Sequence, residues 1–292
     1  MVKAAKLPME SSGAATAARY EIVGEIGRGA TGTVYQAYDH ALFRMIALKV
    51  LDSGVDPIGR KSFERERAAL ARLHHENIVT LFDCRPRADK PFMALSFLSG
   101  PSLKDVLTSG TLGGPHAAAV AYELTRALEH VHGSGFIYRD VKPENVILQG
   151  ERVVLIDFGT AVEIGIDDPE GEVAGTLGFM APEQYDGRQV DHRCDVFGLG
   201  ALLYESLVGT TPYGVFAKRR RCIRPHRYIH PKEARPELPD ELAAVVHQCL
   251  DLDPGQRFWS MSGVRESLRG VFRAYGIVDP RSVLQDLTEA GA

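Results

Sequence analysis

The chain has 292 residues, of which 34 are Lys or Arg and 38 are Asp or Glu, leaving a formal net charge of −4. Apolar residues make up 45% and charged residues 25%, which excludes a disordered chain, a collagen and a coiled-coil rod. No run approaches the ~20 apolar residues of a membrane span, and the four cysteines (Cys84, Cys194, Cys222, Cys249) are too scattered for a zinc pair or a disulfide ladder.

Residues 1–18, rich in Ala and Ser and without the apolar stretch of a signal peptide, read as a flexible leader. With free thiols expected, the chain reads as cytoplasmic. From Tyr20 short β-branched runs predict strands over 20–26, 33–38, 45–51, 78–84 and 92–97. Between the third and fourth, Phe63, Leu70 and Leu73 recur at helical spacing and predict a helix over 61–73. After Gly100 helices dominate. Val120, Leu124, Leu128 and Val131 form one stripe of a helix over 116–132, stopped by Gly133 and Gly135. Strand-like runs follow at 146–148 and 152–156. The segment 196–208, apolar nearly all round, predicts a buried central helix. Further helices are expected over 241–250, over 260–273 and from Arg281, with Asp279 and Pro280 as cap and first-turn residues. The expected fold is α+β, with a small antiparallel-sheet lobe over about 19–97 and a mainly helical lobe over about 99–273. Residues 274–292 read as a C-terminal extension. A cleft between two such lobes is a usual ligand site.

The glycines of Gly27-Arg28-Gly29-Ala30-Thr31-Gly32 allow several readings. A Rossmann turn needs a helix next, but Thr33-Val34-Tyr35 is strand-like; a Walker loop needs a terminal Gly-Lys-Ser/Thr, which is absent. Either a hairpin with incidental glycines or a bare backbone lying over phosphates remains. Lys49 stands in the apolar run Ile46-Ala47-Leu48-Lys49-Val50-Leu51, where an unpaired ammonium is costly. It is either a snorkelling surface lysine or a group with an anionic ligand and a partner carboxylate, for which Glu66 is well placed. Asp140, Lys142 and Asn145 lie in one loop, and Asp157-Phe158-Gly159 follows at the end of the next strand. Two acids and an amide at one lobe edge suit a substrate hydroxyl and metal-bound phosphates, and hard oxygens of this kind suit Mg²⁺.

With Gly175-Thr176 and Ala181-Pro182-Glu183, then Asp195 and Arg257, this series resembles the eukaryotic-like (Hanks-type) protein kinases from about Tyr20 to Arg273. It is most similar to the bacterial Ser/Thr members, whose helix C and following strand resemble Arg65 to Leu73 and His75-Glu76-Asn77-Ile78-Val79. The resemblance implies a bilobal kinase domain over 19–273 that transfers the γ-phosphoryl of ATP to Ser or Thr of proteins, itself included, in signalling. It implies that Lys49 holds phosphates and pairs with Glu66, that Asp140 orients the attacking hydroxyl and accepts its proton, and that Lys142 neutralises the transferring group. Asn145 and Asp157 would hold Mg²⁺, or Mn²⁺ in its place. Gly27, Gly29 and Gly32 would cover the phosphates. The adenine would sit against Ile26, Val34, Ala47 and Ile147, beside the gatekeeper Leu95 and the hinge ending at Leu98. Thr176 would bond Asp140 and Lys142, Glu183 would pair with Arg257, and Asp195 would hold the catalytic loop. Lys142 is the Ser/Thr signature. Tyr138 replaces the usual His before Arg-Asp, and Ser96 and Pro101 depart from the common hinge residues, but no catalytic position is lost. A kinase-like scaffold for protein interaction is the rival reading, and a small-molecule phosphotransferase the third.

Six Lys or Arg lie between Lys218 and Arg227, either a solvated loop or a docking site for an acidic partner. The net acidic chain and the lack of interleaved aromatics there argue against nucleic acid. Between Gly159 and Gly175 the only hydroxyl is Thr160, while Glu163, Asp167, Asp168, Glu170 and Glu172 supply charge. Glu170 or Glu172 is therefore expected to replace the phosphate that such kinases place beside Arg139.

Overall fold

A computed structural model describes residues 19–29, 31–165, 173–213 and 228–289. Residues 1–18, expected to be a leader, the acids Asp167, Asp168, Glu170 and Glu172, the basic run 218–227 and Cys222 lie outside the described residues. The chain divides into two units, Met1–His74 with Val79–Ser99 and His75–Ile78 with Gly100–Ala292.

In the first unit, β1 (Tyr20–Arg28), β2 (Gly32–Asp39), β3 (Arg44–Leu51), β4 (Leu81–Arg85) and β5 (Phe92–Ser96) form an antiparallel sheet in the order β1-β2-β3-β5-β4. The pleat sends alternate side chains to opposite faces. Ile46, Leu48 and Val50 of β3 enter a core with Tyr20, Ala37, Phe92 and Ala94, which leaves Ala47 and Lys49 on the other face. The register pairs Val34 with Lys49 and Ala47 with Leu95, so these four share that face. Helix α1 (Pro57–Leu70) begins earlier than its apolar spacing predicts. Asp56 caps it by accepting from the Gly59 amide at 2.7 Å, and Pro57 takes the first turn. Strand β4 begins at Leu81 rather than at Ile78. Ile78 belongs instead to the second unit, where it forms a parallel bridge with Leu155.

The second unit contains α2 (Leu103–Thr108), α3 (Gly114–Gly133), β6 (Phe136–Ile137), β7 (Val146–Gln149), β8 (Arg152–Leu155), β9 (Val162–Glu163), α4 (Pro182–Tyr185) and α5 (Arg193–Val208). α6 (Pro231–Ala234), α7 (Asp240–Cys249), α8 (Met261–Tyr275), two 3₁₀ turns (Pro143–Asn145 and Pro280–Val283) and α9 (Gln285–Glu289) complete it. β6 pairs with β9 and β7 with β8, both antiparallel. Helix α5 is buried nearly throughout, as its unbroken apolar composition requires. It packs closely on α7: a Cβ at Gly200 would lie 2.6 Å from that of Cys249. Helix α2 has too few residues for periodicity and rests on a capping box between Ser102 and Asp105. Among the described residues Cys84, Cys194 and Cys249 are free thiols, and no helix is long and apolar enough to cross a membrane.

Candidate active site

In the first unit the three glycines of the β1–β2 turn are not equivalent. A Cβ on Gly32 would lie 2.0 Å from the Val50 carbonyl oxygen, so the approach of β2 to β3 itself demands glycine there. A Cβ on Gly27 would meet nothing within 4 Å, and one on Gly29 only the Gly32 carbonyl oxygen at 4.0 Å. Packing within the protein therefore does not account for these two glycines. On the sheet face carrying Val34, Ala47 and Leu95, Lys49 Nζ lies 2.5 Å from Glu66 Oε2 of α1. The Glu66 side chain is only 2% exposed, and a carboxylate buried so far requires its cation. Ile26 is about half exposed and Leu98 half-buried.

In the second unit the loop between β6 and β7 is held from beneath by Asp195 of α5. Its Oδ2 accepts from the Tyr138 amide at 2.9 Å and its Oδ1 from the Arg139 amide at 2.7 Å, while His132 Nε2 lies 2.7 Å from Oδ2. Arg139 has φ +70°, a left-handed conformation costly for a residue with a Cβ, and Asp195 fixes it. Above this turn, Asp140, Lys142 and Thr176 form a triangle. Asp140 Oδ1 accepts from Thr176 Oγ1, Lys142 Nζ donates to Thr176 Oγ1, and Lys142 Nζ lies against Asp140 Oδ2, each at 2.7 Å. Asn145 Nδ2 donates to Asp140 at its carbonyl (3.0 Å) and its carboxylate (3.2 Å).

Asp157 follows β8 with φ +58° and is solvent-exposed. The Ile156 amide before it donates to the Asn145 carbonyl at 2.9 Å. Phe158 and Tyr138 meet edge to face at 5.0 Å, and the Tyr138 hydroxyl donates to the Ile156 carbonyl at 2.5 Å. Burial, reinforced by the charges of Asp140 and Asp157, holds the Tyr138 phenol well above its ordinary pKa. Glu183 and Arg257 form a buried two-pronged pair at 2.6 and 2.9 Å. Residues 20–267 match the protein kinase domain family.

The chain belongs to the protein kinase family.

Its relatives are bacterial serine/threonine kinases. The chain is 33% identical over 243 residues to the probable serine/threonine-protein kinase PkwA of Thermomonospora curvata, covering 82% of this chain and 32% of that one. It is 33% identical over 265 residues to a probable serine/threonine-protein kinase of Streptomyces coelicolor, covering 85% and 39%. With the DNA damage-responsive serine/threonine-protein kinase RqkA of Deinococcus radiodurans it shares 34% identity over 249 residues, covering 80% and 36%. The chain thus spans about a third of the length of the curated relatives it matches. In this kinase, Tyr138 in place of histidine keeps both a ring contact with Phe158 and a local hydrogen bond.

Kinases use ATP with a divalent cation, and the residues present fit such an ion. The Asn145 amide nitrogen is spent on Asp140, which leaves Oδ1 as the ligand atom, and the Asp157 carboxylate is accessible. Among the described residues no three His, Cys, Asp or Glu converge on a closed cage. A few hard oxygens suit an ion that keeps waters and shares phosphate oxygens. Arg139 Nε donates to the Thr160 carbonyl at 2.7 Å, and Thr160 Oγ1 donates to the Tyr138 carbonyl at 3.1 Å. Arg139 also lines a cavity of about 500 Å³ with Glu163, Arg188 and His192.

Gln184 escaped the sequence reading. Its Nε2 donates to the carbonyls of Arg139 (2.9 Å) and Ala174 (3.2 Å), and its Oε1 accepts from the Ala181 amide at 3.0 Å. Its position after Pro182 at a helix start was the available signal, since a side chain there can reach back to the preceding amide.

Proposed function

We propose that this chain transfers the γ-phosphoryl group of ATP to Ser or Thr hydroxyls of proteins, itself included, in a signalling role. The observation that carries this reading is the triangle of Asp140, Lys142 and Thr176. It sets an acceptor for a hydroxyl proton beside a cation for phosphoryl charge, with a small hydroxyl residue on the near side. Asp140 orients the attacking hydroxyl and takes its proton as the oxygen–phosphorus bond forms and the bond to the β-phosphate oxygen breaks, leaving ADP. Lys142 offsets the charge on the transferring group. Lys49, held by Glu66, takes the α- and β-phosphates, and the backbone at Gly27 and Gly29 lies over them. Val34, Ala47 and Leu95 offer the base one apolar sheet face, with Ile26, Leu98 and Ile147 as further contacts. Asn145 and Asp157 hold Mg²⁺, or Mn²⁺ in its place; when bound, the ion neutralises phosphate charge.

The proposed transferring domain runs over 19–273 and acts in the cytoplasm. A carboxylate at Glu170 or Glu172 serves Arg139 in place of a phosphate, making the enzyme active without phosphorylation of that segment. The basic run from Lys218 to Arg227 docks an acidic protein partner, and nucleic acid is not a ligand. The experiment is incubation with labelled ATP and Mg²⁺, alone and with a generic basic protein, followed by phosphoamino acid analysis. Label on phosphoserine or phosphothreonine supports the reading, and no transfer favours the scaffold alternative.

A further inference from the structure

Glu123 is a buried carboxylate that the proposed chemistry does not use. It lies on α3 between Val120 and Leu124 and is 1% exposed, where an unsatisfied charge is costly. Its Oε2 accepts from Asn77 Nδ2 at 2.9 Å, from Arg126 Nη1 at 3.0 Å and from Arg281 Nη2 at 3.2 Å. Its Oε1 accepts from Arg281 Nε at 3.2 Å, so Arg281 alone spans both oxygens among the contacts of the described residues. Arg281 Nη2 and Arg126 Nη2 continue to Glu76 Oε1 at 2.7 and 2.6 Å. Those bonds, the one from Arg281 first, hold the Glu76 carboxyl down at about 2.

The network reaches the proposed metal ligands through Asn77. The amide that donates to Glu123 also donates to the Val153 carbonyl at 2.7 Å, and the Asn77 carbonyl accepts from the Leu155 amide at 2.8 Å. Asn77 thus clasps β8 at two points. The next amide, Ile156, bonds Asn145, and the next residue is Asp157. Arg281 lies beyond residue 267, where the family match ends. Its segment is nonetheless fixed in place: Asp279 Oδ1 accepts from the Arg281 amide at 3.0 Å, and Leu284 and Leu287 are buried.

We infer that Arg281 is a positioning residue of the catalytic unit, which through Glu123 and Asn77 holds β8 where Asp157 can meet a divalent cation. The inference rests on the proposed role of Asp157. Loss of Arg281 leaves Glu123 Oε1 without its donor. The carboxylate then turns toward water and the Asn77 clasp on β8 loosens.

The test compares the wild type with Arg281→Gln, Arg281→Lys and a control, Arg273→Gln, an exposed arginine of α8. Two quantities are read: the Mg²⁺ concentration for half-maximal phosphoryl transfer, and hydrogen exchange of the peptide 152–157 without nucleotide. Arg281→Gln is expected to raise the Mg²⁺ requirement about threefold or more, below the ~10–100-fold seen for partners bonded directly to a metal ligand. It should speed exchange in 152–157 while leaving the peptide-substrate KM and exchange in 20–39 unchanged. Arg281→Lys should fall between wild type and Gln, and the control should match wild type. If Arg281→Gln does not fold, Arg281→Lys against wild type decides. An unchanged Mg²⁺ requirement with unchanged β8 exchange overturns the inference, as does a lower melting temperature with neither changed. A wild type that transfers no phosphoryl would sink the proposed function, and the exchange measurement would still decide whether Arg281 holds β8.

Discussion

In the first unit, Val34, Ala47, Lys49 and Leu95 share one sheet face because strand register places them there. In the second unit, Asp140 and Asp157 stand on loops and Asn145 ends a 3₁₀ turn, and Arg139 and Asp157 hold left-handed backbone angles. Loop positions of this kind need bonds from distant residues, and Asp195, Thr176, Gln184 and Asn77 supply them. The difference teaches where each half is vulnerable. Damage to the first site should come from changes within the sheet and α1, and damage to the second also from residues far from the chemistry.

The largest effects should come from the groups assigned to the chemistry in each unit. Asp140→Asn should lower kcat by ~10²–10⁴-fold, and Lys49→Met and Asp157→Asn should abolish transfer with the circular-dichroism spectrum retained. Wild-type turnover by any of the three would break the comparison at its root. Zinc should not replace Mg²⁺ or Mn²⁺, because the donor set is oxygen without Cys or His; full activity in excess chelator would contradict this.

Next comes the buried brace of the second unit. Arg257→Ala leaves Glu183 buried without its cation and should cost about 3–5 kcal/mol in denaturant unfolding. A loss below about 1 kcal/mol, as for a surface pair, would show that the loop site does not depend on this brace.

The glycines sharpen the first unit's side. Gly32→Ala should destabilise the protein by about 1–3 kcal/mol through overpacking against the Val50 carbonyl. Gly27→Ala and Gly29→Ala should leave the melting temperature unchanged while raising the KM for ATP. If all three behave alike, the distinction between a glycine needed by the fold and one kept for a ligand fails.

Sequence made the first site legible because its signals are local: a turn rich in glycine, a lysine in an apolar strand, and a carboxylate on the one helix nearby. The loop that carries Asp140, Lys142 and Asn145 was legible as a candidate site from an ordered series of motifs, and Asp195 and the Glu183–Arg257 pair came with the resemblance. The support of β8 was not legible. Arg281 and Glu123 are 158 residues apart, and nothing in the local pattern around either marks the other as its partner. Glu123 sits on an apolar stripe without any sign that its charge is met, and Asn77 could be quoted in a motif without its clasp being foreseen. Helix α2 was missed for a related reason, since a capped turn of six residues leaves no periodic trace.

The smallest expected effect is a pH dependence. Arg281 and Arg126 lower the Glu76 pKa from its ordinary 4.5 to about 2. The stabilisation from that pair is therefore complete above about pH 4.5 and is lost as pH falls toward 2. The stability difference between wild type and Arg281→Gln, measured by urea unfolding, should shrink over that window. A difference that stays constant from pH 6 to pH 3 would place the effect of Arg281 elsewhere.

The most direct test of the central claim is a single assay of the wild type and Asp140→Asn side by side, with labelled ATP, Mg²⁺ and a basic protein substrate. Label should appear on phosphoserine or phosphothreonine with the wild type and fall ~10²-fold or more with the variant. Equal labelling by the two proteins, or label confined to phosphotyrosine, would contradict the assignment of Asp140, Lys142 and Thr176 to serine/threonine phosphoryl transfer.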